Sequence, residues 1–154
     1  MAEACSSCHE ARHGTACHGG GRLLRCARST TLSATLIWAV VPNTLKARGS
    51  DGNQIWVFHG TAKENIEKIC AGGFIVAHGS QIVNGAAYGN GVYTAKGPAT
   101  PMGYARDTNA VILCLALPGR KGVQGQDDSW SPHEDWMIFK TAEQLWPKYV
   151  VWFE

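Results

Sequence analysis

The stretch 55-IWVFHGTAKENIEKICAGGF-74 decides the fold. Its first part, 55-IWVFHG-60, is a short apolar run that ends at a glycine, the pattern of a buried strand. The second part, 61-TAKENIEKICAGGF-74, places Ile66, Ile69 and Cys70 on one face at helical spacing. Thr61 is positioned to cap that helix, and Thr61 with Glu64 fits a capping box. Gly72 and Gly73 end it, as a C-terminal glycine does where φ must be positive.

Downstream, the polar loop 77-AHGSQIVNGAAYGNG-91 carries glycines at 85, 89 and 91 around Tyr88 and Asn90. That density allows tight turns and a close approach of backbone to a ligand. It leads into the short strand 91-GVYTA-95. The segment 98-PATPMGYARD-107 reads as a short helix after a proline-marked turn. The run 110-AVILCLALPG-119 is a buried strand, 119–135 a long polar loop, 136-WMIF-139 a further strand, and 149-YVVWF-153 the last one after Pro147. Upstream, a helix is expected from Arg22 to about Trp38, and Pro42 and 49-GSDG-52 punctuate the chain. These elements predict an α+β plan with a twisted, mostly antiparallel sheet and short flanking helices. The chain lacks a G-x-G-x-x-G opening a helix after a first strand, and it lacks a G-K-S/T phosphate loop.

A length of 154 residues predicts one domain, here 22–154, preceded by a Cys/His-rich head at 1–21 in which no helix or strand period holds. The net charge of +2 neither demands nor excludes nucleic acid. The most apolar run, 31-TLSATLIWAVV-41, is too short to span a bilayer and lies too deep in the chain for a signal peptide. A cytoplasmic or nuclear protein with no membrane partner is the default. Cys70 and Cys114 lie in apolar segments and read as buried thiols. Cys5, Cys8, Cys17 and Cys26, with His9, His13 and His18, offer enough ligands for a structural zinc. The second half of such a site is poorly spaced, so a flexible head without metal is the expectation.

The fragments 58-FHGT-61, 65-NIEKICAGGF-74, 85-GAAYGNGVYTA-95 and Tyr104, taken in order, resemble the catalytic domain of the PARP-like, diphtheria-toxin-type ADP-ribosyltransferases, in particular the mono-transferring members. The resemblance is good over 55–117 and weaker through 135-DWMIF-139 and 144-QLWPKYVVWF-153. It implies an ADP-ribosyltransferase fold with a two-part sheet, and NAD as the substrate. His59 would hold the adenosine-side ribose, the Gly60 backbone would bond the nicotinamide amide, and Tyr93 and Tyr104 would flank the ring. Thr61 belongs to the same strand-end motif. Transfer of ADP-ribose puts positive charge on the sugar, so fixed ring geometry and a nearby carboxylate both help. Glu134 and Asp135, at the mouth of 136-WMIF-139, are the candidate carboxylates.

The sequence departs from the family pattern at two positions. Pro101 stands where the family commonly has a serine for the nicotinamide amide, with Thr100 adjacent as a substitute. The third catalytic position, a glutamate in chain-elongating members, falls on Asp135 or on Trp136. Both departures favour transfer of one ADP-ribose unit, to a protein or a nucleic-acid end, over chain building. The alternative is an inactive NAD-pocket fold used as a binding or scaffold module. Asp135 in the cleft beside Tyr93 favours the enzyme, whereas a cleft filled by Trp130, Trp136 or Met102 favours the module.

Overall fold

The computed structural model describes residues 22–25, 52–76 and 87–153. Among them, strands β1 (Arg22–Arg25), β2 (Ile55–His59), β3 (Val92–Ala95), β4 (Ala110–Ala116), β5 (Ser129–Trp130), β6 (Trp136–Phe139) and β7 (Leu145–Trp152) form one sheet. Its order is β1-β7-β4-β2-β3-β6-β5, and every strand pair is antiparallel. The α+β expectation holds, and so does its two-part sheet. The ladders β7-β4-β2 and β3-β6 pair over four or more positions each, but β2 and β3 meet at the single pair Phe58↔Ala95.

Helix α1 (Lys63–Gly72) turns Ile66 and Cys70 inward, one helical turn apart. There they join Val57, Ile112, Cys114, Ala116, Leu145 and Val150 from the sheet in one core that also holds Val92, Met137 and Phe139. Cys70 and Cys114 are buried, and neither is in a disulfide. Burial, and then the proximity of Cys70, push the Cys114 thiol well above its ordinary value. Gly73 has φ 84° and donates its N–H to the Ile69 carbonyl, which ends the helix as its glycines predict. The 119–135 segment is drawn inward by the buried Asp128, whose carboxylate accepts the Arg120 N–H.

Four local expectations need correction. The capping box at Thr61 does not form. The N-cap is Ala62, with no side-chain bond, and the Thr61 hydroxyl accepts instead from Asn65 Nδ2 at 3.3 Å. A capping box forms at Thr141, where Gln144 answers across the 3-10 turn Ala142–Gln144. The start of the helix expected from Arg22 is a strand, because Arg22–Arg25 finds backbone partners along Tyr149–Trp152. Residues 26–51 and the 1–21 head lie outside the described residues. The last strand begins at Leu145, ahead of Pro147. The register shifts between Leu113 and Cys114 where Pro147 pairs, and an irregularity of that kind tolerates a residue without an N–H. Finally, the proline-marked helix α2 is only Ala99–Met102, so Tyr104 lies in the turn beyond it.

Candidate functional site

The cleft opens where the β2–β3 ladder stops. Continuing the Phe58↔Ala95 register would set Gly60 opposite Tyr93, but no pair forms there. The Tyr93 carbonyl instead accepts a hydrogen bond from His59 Nδ1 at 2.8 Å. A carbonyl only accepts, so Nδ1 carries the proton and the neutral ring keeps its Nε2 lone pair. Burial pulls the imidazole below its ordinary value of 6.5, against the smaller opposite pull of the Tyr93 carbonyl. The ring also stands edge-on to Phe74, 4.9 Å away between centroids.

Gly60 is required by a close approach: a β-carbon there would sit 1.8 Å from the Pro101 carbonyl oxygen. Pro101 is buried, and its carbonyl accepts the Tyr104 N–H. The sequence departure at Pro101 is thus accommodated by seating the start of the Tyr104 turn against Gly60. Thr100, the adjacent hydroxyl, donates to Asp135 Oδ2 at 3.0 Å. Its oxygen lone pairs are still able to accept.

From this edge the cleft extends over about 610 Å³. His59, Gly60, Thr61 and the α1 residues Glu64, Asn65 and Lys68 line the part built from β2 and α1. Tyr88, Tyr93, Tyr104, Thr100 and Trp136 line the part built from β3, β6, α2 and the turns beside them. Most of the residues expected from the sequence are therefore brought together. Asp135 and Glu134 do not line the cleft. The Asp135 carboxylate accepts the Gly97 N–H at 3.1 Å and the Thr100 hydroxyl. Glu134 is exposed, and its carbonyl accepts from Lys96 Nζ. Of the two candidates for the third position, Trp136 is the one on the cleft. It pairs with Ala95 in the ladder, as Ile138 does with Tyr93, so by strand alternation Trp136, Ile138 and Tyr93 share a face.

Trp136 is also the hub of an aromatic wall that sequence reasoning missed. Its ring lies 5.7 Å from Tyr88, 5.2 Å from His133, and 6.4 Å from both Tyr93 and Tyr104, each near perpendicular. Edge-to-face contacts at these distances are favourable. The Tyr93 hydroxyl donates to the Gly89 carbonyl at 2.8 Å and accepts the Tyr88 N–H at 3.1 Å. Tyr88 shares a hydrogen bond of 2.9 Å with His133 Nε2, and its carbonyl accepts from Trp130 Nε1. Alternation along 136-WMIF-139 was the available signal, since Met137 and Phe139 join the core cluster and leave Trp136 and Ile138 on the other face.

Among the described residues no group of three His, Cys, Asp or Glu side chains is placed to hold a metal, and no helix is long and apolar enough to cross a membrane. The cysteine-rich head lies outside those residues.

The family model of the poly(ADP-ribose) polymerase catalytic domain matches residues 37–121, more than half of the chain, and the chain belongs to that family. Among solved structures, the PARP domain of Arabidopsis RADICAL-INDUCED CELL DEATH1 is similar, with a TM-score of 0.64. The likeness covers 86% of this chain and 85% of that one at 17% identity, so it is a likeness of fold. Comparison with curated proteins returns no match.

Proposed function

We propose that this domain is a PARP-fold binding module whose cleft takes a nicotinamide-type ligand without transferring ADP-ribose. One observation carries the reading: the cleft-facing residue at the start of β6 is the indole Trp136, while Asp135 is turned onto Gly97 and Thr100. Breaking the bond between nicotinamide and ribose develops positive charge on the sugar. An indole supplies no anion and no hydrogen-bond acceptor to meet that charge, and groups aimed at developing charge are commonly the largest catalytic contribution. Tyr93, Tyr104 and Gly60 all line the cleft, which supports a flat carboxamide-bearing ring as its occupant.

The test is incubation of the full chain with labelled NAD, following nicotinamide release and label on protein, beside a thermal-shift titration with nicotinamide. The reading requires a thermal shift without release. Release at a rate above the spontaneous one, abolished in His59→Ala, would overturn it.

A second reading is favoured by the uncommitted Nε2 of His59. It is transfer of a single ADP-ribose from NAD, most simply to a protein acceptor, in the cytoplasm or nucleus. The same assay decides between the two, because only this reading requires label on an acceptor.

A further inference from the structure

Resting on the reading of the cleft as a nicotinamide-type pocket, we propose that Trp136, braced by the Tyr88–His133 pair, makes the site selective for a free planar carboxamide base over the same base carrying a ribosyl group. Free nicotinamide then binds more tightly than NAD.

Around Trp136, three hydroxyls are engaged within the protein. The Tyr93 hydroxyl holds Gly89 and Tyr88, the Tyr88 hydroxyl holds His133, and the Thr100 proton is on Asp135. Both oxygens of Asp135 have donors, from Gly97 and Thr100. Trp136 presents mainly carbon here, and its ring stands 6.4 Å from each of Tyr93 and Tyr104. A flat ring lodged beside Tyr93 and Tyr104 has the indole as its neighbour. A ribosyl substituent directed to that side meets the aromatic wall, and hydroxyls buried against it exchange water for few partners. Such a loss costs roughly tenfold in affinity per unpaired hydroxyl. A free base has no hydroxyls to strand, and it gains ring contacts instead.

The wall is braced rather than incidental. Tyr88 is held at its amide, its carbonyl and its hydroxyl, by Tyr93, Trp130 and His133. Tyr88 and His133 stand 5.2 Å apart between centroids, and each is edge-on to Trp136. Tyr88 and His133 are therefore positioning residues that act through the indole.

Calorimetric titration of the full chain with nicotinamide and, separately, with NAD tests this. Nicotinamide should bind at least about tenfold more tightly. Trp136→Ala should narrow or reverse that ratio. His133→Ala, at an exposed loop position where folding is not at stake, should narrow it by a smaller factor, and Tyr88→Phe, which keeps the ring but loses the bond to His133, should follow His133→Ala. Equal or tighter binding of NAD by the unmodified protein would overturn the proposal. So would a ratio unchanged in both Trp136→Ala and His133→Ala, or no binding of either compound. Nicotinamide release from NAD is a separate outcome: it would overturn the non-catalytic reading above and leave the affinity ratio to be judged on its own.

Discussion

The two walls of the cleft use the same kinds of side chain to opposite ends. At the β2 edge, His59 spends one ring nitrogen on the Tyr93 carbonyl and leaves the other uncommitted, and Gly60 brings bare backbone against the Pro101 carbonyl. At the β6 edge, hydroxyls, amides and a carboxylate are bonded to one another around Trp136. One wall keeps binding capacity, and the other has converted it into rigidity. The difference teaches that a cleft of this shape and a carboxylate at its edge are separable: the cleft is present here, while Asp135 is turned onto Gly97 and Thr100.

The contrast can be broken most severely at Gly60. Gly60→Ala forces a β-carbon into the Pro101 carbonyl, and backbone on both sides leaves little room to yield. A loss of about 3 kcal/mol or more is expected, read as a lowered denaturation midpoint together with loss of nicotinamide binding. Next is the opposite wall. If the missing carboxylate is what silences the site, Trp136→Glu should raise nicotinamide release from NAD by about a hundredfold over the unmodified chain. An unchanged rate would mean that the defect lies elsewhere in the cleft. A smaller effect is expected at Thr100→Val, which removes a partner of Asp135 and should cost about 1–2 kcal/mol in a denaturant titration. The smallest concerns pH. The folded His59 imidazole titrates below its ordinary value of 6.5. As pH falls below that value, the unfolded chain takes up a proton that the folded ring refuses, so the fold loses stability until the lower folded value is reached. The stability difference between the unmodified protein and His59→Asn should carry this slope in mildly acid solution and be flat above neutrality.

Much of this was legible in the sequence, for reasons that differ from element to element. The strands at 55–59, 92–95, 110–116 and 136–139 announce themselves by their apolar runs, and the first three also by a glycine or proline close to an end. Helix α1 is written in the spacing of Ile66 and Cys70. The beginning of the chain's strand at Arg22 was not legible, since its stability comes from a partner more than a hundred positions away. The capping box was assigned to the wrong threonine because Thr61 with Glu64 and Thr141 with Gln144 spell similar patterns, and only the chain path selects between them. In the site, the order of His59, Gly60, Tyr93 and Tyr104 located the cleft. The Asp135-or-Trp136 ambiguity could not be resolved from spacing, because adjacent strand residues point to opposite faces and one position of register decides which enters. The bonds of Asp135 to Gly97 and Thr100 depend on the turn before α2, which adjoins the residue in space but not in sequence.

The single rung between β2 and β3 has a mechanical consequence. Elsewhere in the sheet, sliding or splaying two strands means breaking a row of backbone bonds together. Along this line the hydrogen bonding consists of the Phe58↔Ala95 pair and one side-chain bond, from His59 to the Tyr93 carbonyl, with the shared core packed beneath it. The histidine is thus a stitch as well as a potential ligand contact, and the sheet has a line of compliance running along the floor of its own cleft.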